Sequence, residues 1–598
     1  MTVQTIESKD LSVGDLFSSF YLVPDYQREY VWEDKQVEQL LQDIYTEFSA
    51  LGPGVVSEYF IGSIVVCTRE DGVLELIDGQ QRVTTLFIIL CALRDYLNNI
   101  APGESIESLK SQIASYDVDD QGRDVFRFRV DLQYEDSCGV LQAIGKGEMP
   151  KVDKSNQTRS VTNILNAYHS VQTFLRNQFK DDADGVRKFY AYLNKKVKLI
   201  RVKTVSVAHA LKIFETINDR GVGLDSMDLL KNLMFMHARP EEFEILKKQW
   251  KKLVDALFTV QENPLRFLRY FIVSEFGVDR LRMDEIYEWF VRNEALCGYK
   301  KEPLKFTDWL NDAVTAYTNF LRGKDARGRP NRYLENMRYL SGSARQHLIL
   351  LLAGRHLPED CFNELCREVE NLFFAYIVTR ENTREFERNF AKWAPRLRKV
   401  QDRKQLDEFV KVNMLPEKKK LVTRFELAFR EMTEKSLQKY RIRYVLAKLT
   451  QYVNEQALGS QGASVDLRNF IHSKVEIEHI LPQQPDEEVL KAFDKPDTID
   501  DYVHRLGNLT LLEKSINSSI SNGLFEKKRV EYYKSGFLLT KSLGGDISVG
   551  KNTAFSRIAQ HLESFESWNS KSIERRQAML TRLAAKTWDM PMNSAAQG

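Results

Sequence analysis

A short polar turn near the N-terminus combines residue types that handle phosphate. Asp78, Gly79, Gln80, Gln81 and Arg82 follow an apolar run directly. A helix starting there would point free backbone N–H groups at an anion, and Arg82 would bind phosphate oxygens through its guanidinium. Asp78 would hold a metal ion or orient a water. From spacing alone, a turn whose polar residues only cap the helix is the commoner explanation, since this is not a Walker A loop.

A second group of residues with chemical potential lies near the C-terminus. Glu478 and His479 end one apolar run, Asn508 opens the next, and Asn517 follows nine positions later. Cleaving a phosphodiester needs a base for the attacking water and a cation on the phosphate. His479 is the candidate base, and Asn508 is a candidate partner for its other ring nitrogen. Glu478 and Asn517 offer oxygen ligands suited to Mg²⁺ or Mn²⁺.

Residues around this second group are interpreted as supporting ones. A single histidine between apolar residues is more often an internal hydrogen-bonding residue than a catalyst, and this would hold for His479 if it stood alone. His472 and His504 are interpreted as helpers or bystanders. The basic run Lys527, Lys528 and Arg529 predicts a helix that follows a DNA backbone. A solvated helix face explains the same three residues equally well.

The elements that must position the first group can be read from hydrophobic patterns. Apolar runs at 59–68 and 73–77 predict a strand pair, and the apolar stretch from Thr84 to Leu97 predicts a buried helix. A further helix is predicted over 161–179, and Asp117 to Asp124 is expected to be a surface loop. Leu199 to Val205 is a strand candidate, followed by a helix over about 206–217.

Length and pattern together predict several domains. At roughly 100–200 residues per domain, 598 residues make three or four units. We expect an α/β domain over 1–235, a helical connector over 236–455, a third compact domain over 456–592 and a frayed tail over 593–598. The fold class is therefore multidomain α+β and mainly helical.

Composition excludes several classes of protein. Lys and Arg number 86 against 84 Asp and Glu, so the net charge is +2 and a nucleic-acid surface would have to be a local patch. The six cysteines include no C-x-x-C pair, which argues against a disulfide framework or a zinc ribbon. No leader pattern or apolar run of bilayer length is present, so we expect a cytoplasmic protein that does not use a membrane.

Three N-terminal motifs occur in an order that resembles a known family. They are Tyr26 to Trp32, then Asp78 to Arg82 with Thr84-Thr85-Leu86, and finally Phe214 to Gly221. Together they resemble the ParB/sulfiredoxin-like domain at the N-terminus of GmrSD-type, modification-dependent restriction proteins, over about residues 10–235. The resemblance implies binding and hydrolysis of a nucleoside triphosphate, and GTP is the one we expect.

The resemblance also assigns residues to that reaction. Its implied catalytic residues are Asp78, Gln81 and Arg82. The other residues of the implied nucleotide site are Gln27, Arg28, Gly79, Gln80, Thr84, Asn218 and Arg220. Asn218 would equally suit a plain turn, and Arg28 would equally brace the fold.

The C-terminal pattern resembles a nuclease motif. Glu478-His479-Ile480-x-Pro482, Gly507-Asn508-Leu509 and Asn517 look like the His-Asn-Asn version of the HNH, or His-Me finger, motif found in the same restriction proteins. The implied fold is a ββα-metal domain with His479 and Asn508 as catalytic residues. Asn517 stands where a histidine is frequent, and Glu478 where aspartate is usual, which leaves the choice of metal open.

The two resemblances together imply a nucleotide-dependent, modification-sensing DNA endonuclease that acts against foreign, phage DNA. Its partners would be modified double-stranded DNA and the triphosphate, and a homo-oligomer stays open. One alternative is a nucleotide-switched, ParB-like DNA-binding protein without nuclease activity, and another is an unregulated housekeeping nuclease. Digesting modified DNA with and without GTP and Mg²⁺ separates the three.

Overall fold

The computed structural model describes most of the chain as two compact units. Described are residues 6–24, 27, 29–50, 57–69, 71–103, 106–118, 121–133, 135–149, 158–204, 210, 226–459, 466–518, 520, 523–546 and 558–591. Unit 1 comprises Met1–Lys252 and Tyr287–Trp309, and unit 2 comprises Leu253–Ile286 and Leu310–Gly598.

Ten strands form three sheets among the described residues. They are β1 Glu7–Ser12, β2 Tyr21–Val23, β3 Tyr59–Thr68, β4 Leu74–Asp78, β5 Ala114–Val118, β6 Asp124–Phe128, β7 Val130–Leu132, β8 Val197–Thr204, β9 Val475–His479 and β10 Leu509–Glu513. Unit 1 holds a mixed six-stranded sheet in the order β1-β8-β3-β4-β2-β7. The pairs β5–β6 and β9–β10 are separate two-stranded antiparallel sheets.

Helices make up most of the chain, as expected from its sequence. Up to residue 321 they are α1 Val13–Leu16, α2 Asp34–Ser49, α3 Gln80–Ile100, α4 Glu107–Ile113, α5 Glu135–Lys146, α6 Arg159–Phe179, α7 Ala183–Lys196, α8 Ser226–His237, α9 Phe243–Phe258, α10 Pro264–Phe276, α11 Ile286–Arg292, α12 Glu294–Cys297 and α13 Pro303–Leu321. Unit 2 continues with α14 Arg332–Ser341, α15 His347–Ala353, α16 Glu359–Val378, α17 Thr383–Leu397, α18 Arg403–Phe409, α19 Leu415–Arg430 and α20 Lys439–Leu458. The helices that follow are α21 Arg468–Ile471, α22 Glu487–Ala492, α23 Asp500–Val503, α24 Lys514–Asn517, α25 Phe525–Tyr532, α26 Leu538–Gly544 and α27 Ser570–Thr587.

Helix α3 forms the centre of unit 1. Its run from Leu86 to Leu93 is fully buried, because a helix that is apolar on every side must be surrounded by protein. Among the described helices, α3 alone is long and apolar enough to cross a membrane, but 72% of its most apolar window is buried inside the unit. This is the burial of a core helix.

The predicted elements of unit 1 are largely confirmed. The strand pair appears as antiparallel β3 and β4, and the helices predicted from Thr84 and over 161–179 appear as α3 and α6. The loop expected at Asp117 to Asp124 is wrong in part, since its ends belong to the hairpin β5–β6. Tyr116 and Phe126 pack edge to face across that hairpin. The polar residues between them in the sequence hide the alternation of apolar and polar side chains that predicts a strand. The helix predicted over about 206–217 lies outside the described residues apart from residue 210.

Candidate functional site

A glycine in the left-handed conformation shapes the turn between β4 and α3. Gly79 has φ +85°, and a Cβ added there would lie 2.5 Å from Cγ2 of Ile64. The chain therefore passes from strand to helix with no room for a side chain. Asp78 ends β4 and Gln80 begins α3, so Asp78 lies two residues before the first residue of the helix, at its positive end.

Two glutamines attach a neighbouring segment to this turn. Gln81 accepts a hydrogen bond from the backbone N–H of Val31 (2.8 Å) and donates one to the carbonyl of Glu29 (3.0 Å). Gln27 donates from Nε2 to the carbonyl of Ile77, at 3.3 Å. Both glutamines are buried, so they fix the segment that carries the first motif against the turn.

Lys231 is a residue near this turn that sequence reasoning missed. It lies on α8, is 2% exposed, and donates from Nζ to Oε1 of Gln27 at 3.3 Å. It thus brings a buried ammonium close to the glutamine of the first motif. No local pattern reveals it, because Lys231 follows Gln27 by 204 residues.

The remaining predicted residues of the first group have different surroundings. Arg82 is half-buried and donates from Nη1 to the carbonyl of Ser63, at 2.7 Å. Gln80 and Thr84 are buried on α3. The other predicted residues, Arg28, Asn218 and Arg220, lie outside the described residues.

The two-stranded sheet β9–β10 positions the second group. In the antiparallel register His479, the last residue of β9, pairs with Leu509, the first residue of β10. Asn508 directly precedes β10, so its backbone lies beside the end of β9. Successive side chains of a strand point to opposite faces. Glu478 and His479 accordingly have separate sets of partners.

His479 belongs to a cluster with Glu434 and His504. Nε2 of His479 lies 3.1 Å from Oε2 of Glu434 and 3.1 Å from Nε2 of Gln483. Glu434 also contacts Nδ1 of His504 through its other carboxylate oxygen. Within the described part of the chain, Nδ1 of His479 has no hydrogen-bond partner.

Burial sets the charge of His479. It lowers the pKa of the imidazole below its usual 6.5, and this effect outweighs the nearby carboxylate of Glu434, which raises the pKa. The ring is therefore neutral at pH 7 and retains a lone pair, which is the form that accepts a proton or binds a metal ion.

Asn508 bonds to the backbone that follows His479 rather than to the histidine ring. Its Oδ1 accepts from the N–H of Leu481 (2.7 Å) and from the indole N–H of Trp568 (2.9 Å). Its Nδ2 donates to the carbonyls of Leu481 (2.9 Å) and Val503 (2.8 Å). Because Asn508 is fully buried, these four bonds anchor the chain beyond β9. The expected bond from Asn508 to the imidazole is not formed.

The two expected metal ligands, Glu478 and Asn517, have different hydrogen-bond partners. Glu478 accepts from Nζ of Lys528 at 2.8 Å and from the hydroxyl of Tyr532 at 2.9 Å. Burial raises the pKa of Tyr532 well above its usual range, so that hydroxyl remains a donor. Asn517 instead donates to Glu476 at 2.7 Å.

The structure also corrects the interpretation of the basic run on α25. Lys528 is 3% exposed, and its Nζ lies between Glu478 and the carbonyls of His479 and Ile480, at 2.8, 3.1 and 3.2 Å. It therefore stabilises the end of β9 and is not presented to a DNA backbone. Lys527 is exposed, and half-buried Arg529 donates to the carbonyl of Gly544.

Helix α27 stabilises the same region through hydrogen bonds to its backbone carbonyls. Arg576, fully buried, donates from Nη1 to the carbonyls of Gly507 and Leu509, each at 2.7 Å. Burial lowers the pKa of Arg576 to about 9, so it stays charged at pH 7. Gln577 donates to the carbonyls of Phe429 (2.6 Å) and Met432 (3.1 Å). One helix thus holds both the start of β10 and the segment that leads to Glu434.

Two family models match separate parts of the chain. The family model described as GmrSD restriction endonuclease, N-terminal domain, matches residues 13–235. The model described as GmrSD restriction endonucleases, C-terminal domain, matches residues 421–583. No curated protein matches the chain. The first match contains the Asp78 to Arg82 turn, and the second contains Glu434, His479 and His504.

Proposed function

Since the chain belongs to the GmrSD restriction endonuclease family, we propose that it cleaves DNA at a centre built around His479. The observation that carries this proposal is the setting of that residue. A neutral, half-buried imidazole at the end of β9 contacts Glu434 and Gln483 through one nitrogen, while the backbone beyond it is anchored by Asn508. Such a residue can activate a water for attack on a phosphodiester.

Cleavage is proposed to require Mg²⁺ or Mn²⁺, because a divalent cation stabilises the charge that develops on the scissile phosphate. Glu478 and Asn517, the ligands expected from sequence, do not fit that role as placed. Lys528 supplies the positive charge beside Glu478, and Asn517 is bonded to Glu476. No catalytic step is assigned to these two residues.

The N-terminal turn is proposed to bind and hydrolyse a nucleoside triphosphate, with GTP as the first to test. Support comes from the positive end of α3, the glycine-dependent turn, and Asp78 and Arg82 on either side of it. Gln81 would contribute by holding residues 29–32 beside the turn. Nucleotide turnover would then gate cleavage of modified, foreign DNA in the cytoplasm.

Cleavage of modified phage DNA and of unmodified plasmid, with and without GTP and Mg²⁺ or Mn²⁺, tests the proposal. We expect His479→Ala to lower the cleavage rate by at least about 10²-fold while leaving the protein folded, because water activation is lost. His472→Ala is the matched control, since His472 is exposed and lies outside the cluster. Undiminished cutting by His479→Ala would refute the assignment.

Triphosphate hydrolysis should depend on the other unit. Asp78→Asn is expected to abolish hydrolysis, and His479→Ala is expected to leave it intact, because the two residues belong to different compact units. Asp71→Asn, an exposed substitution in the β3–β4 turn, serves as the control. Loss of hydrolysis in a folded His479→Ala protein would contradict the separation of the two activities.

A further inference from the structure

We propose that Glu434, His479 and His504 form a binding site for one divalent transition-metal ion. The role of that ion in cleavage rests on the proposed function, whereas its binding does not. The ligand atoms offered by these three residues all lie within 4.8 Å of one another. Over the described ranges of the chain, this is the one place where three histidine, cysteine or acidic side chains converge in this way.

The three residues come from three separate elements. Glu434 lies in the segment between α19 and α20, His479 ends β9, and His504 follows α23 directly. All three are half-buried. Two imidazoles and one carboxylate form a donor set that occurs in catalytic zinc centres. In such centres the remaining coordination position of the ion is taken by water or substrate.

Backbone hydrogen bonds hold two of these elements together independently of the side chains. The N–H of Glu434 donates to the carbonyl of His504 at 2.8 Å, and the N–H of Leu506 donates to the carbonyl of Met432 at 2.9 Å. Thr433 and Arg505 form an isolated β-bridge between the same segments. Glu434 and His504 are therefore prearranged around His479, as a metal site requires.

The opposite face of β9 is unsuited to a divalent cation. The ammonium of Lys528, 3% exposed, already neutralises Glu478 and contacts two backbone carbonyls there. A second cation beside it would be repelled at short range in a poorly solvated place. On the His479 face, the ion-pair partners of Glu434 among the described residues are the imidazoles of His479 and His504, with no lysine or arginine paired to this carboxylate. A cation therefore meets less repulsion there than beside Lys528.

The donor set also selects the kind of ion. Imidazole nitrogens favour Zn²⁺, Co²⁺, Ni²⁺ and Mn²⁺ over Mg²⁺, which prefers oxygen ligands. When bound, such an ion would lower the pKa of a coordinated water and neutralise phosphate charge. His479 would then bind the ion through Nε2, and the water activation that His479→Ala removes would be supplied by the ion that this residue helps to hold.

Metal titration of the full-length protein tests this site without any activity assay. We expect Co²⁺ to bind one ion per chain, followed by calorimetry and by its visible absorption, with excess Mg²⁺ unable to displace it. Glu434→Gln and His504→Ala should each weaken binding by at least about tenfold, since loss of even an outer partner of a metal ligand costs 10–100-fold. Circular dichroism checks that both variants are folded.

Three control variants make the outcome decisive. Glu431→Gln and His472→Ala change exposed residues outside the cluster and should bind Co²⁺ as the wild type does. Asn517→Ala should also bind normally. Wild-type affinity in both cluster variants, or loss of binding in Asn517→Ala alone, would overturn the proposal. Metal binding through the cluster without any DNA cleavage would refute the proposed function and leave the metal site standing.

Discussion

Replacing Asn508 by alanine should lower the free energy of unfolding of unit 2, and any loss of DNA cleavage should follow from that lower stability. The substitution removes four hydrogen bonds at once and leaves two buried donors, the N–H of Leu481 and the indole N–H of Trp568, without their acceptor. A buried donor left unsatisfied costs about 1–3 kcal/mol, so the two cost about 2–6 kcal/mol together. Partial relaxation and water entry place our expectation at about 3–5 kcal/mol.

This loss is large beside the total stability of a domain, which is about 5–15 kcal/mol. Urea unfolding followed by circular dichroism measures it, with Asn517→Ala as the control. Asn517 makes one partly exposed bond, to Glu476, and its removal should cost about 0.5–1.5 kcal/mol.

Amide hydrogen exchange gives a local version of the same test. The Leu481 N–H bonds to the side chain of Asn508, whereas the neighbouring Ile480 N–H bonds to the Asn508 backbone carbonyl at 3.0 Å. Asn508→Ala should therefore speed exchange at Leu481 more than at Ile480. Unchanged stability and unchanged exchange, combined with lost DNA cleavage, would show that Asn508 acts on the reaction itself and would refute this reasoning.

Two further predictions concern the fold of each unit. Gly79→Ala should destabilise unit 1 by about 2–4 kcal/mol, because left-handed backbone strain adds to the clash with Ile64. Gly72 has φ +78° and open space around it, so Gly72→Ala should cost only the backbone strain. Equal losses of stability for the two variants in urea titrations would contradict the contribution of the clash. His347 is fully buried and its pKa is lowered to about 3. The unfolded chain therefore binds a proton that the folded state does not bind, so stability falls as pH drops below 6.5, by about 2 kcal/mol at pH 5. His347→Leu should remove this dependence, and parallel pH profiles for variant and wild type would count against it.

Local patterns predicted the elements of the first turn well. The apolar run around Leu86 marked a buried helix because its length and composition leave no other place for it, and the observed α3 extends it to Gln80 and Ile100. The strand pair before it followed from β-branched residues on either side of a turn. The division into three domains and the nucleotide role of Asp78 and Arg82 stay predictions.

Long-range partners in the second group were beyond sequence reasoning. Glu434 precedes His479 by 45 residues, and nothing in the neighbouring sequence distinguishes it from the other acidic residues of the chain. Lys528 was assigned to a basic surface because it lies in a run of three bases, but its partner Glu478 is 50 residues away. Such contacts arise from packing between elements, which hydrophobic periodicity does not specify.

The position of α27 in the chain has a consequence for synthesis. Arg576 and Gln577 hold Gly507, Leu509, Phe429 and Met432, all of which leave the ribosome earlier. A nascent or prematurely terminated chain that stops before α27 lacks these four hydrogen bonds, so the segment that leads to Glu434 and the start of β10 are held less firmly on it. We therefore expect truncated products to be less able to cut the DNA of the cell that makes them, a safeguard that follows from the order of translation alone.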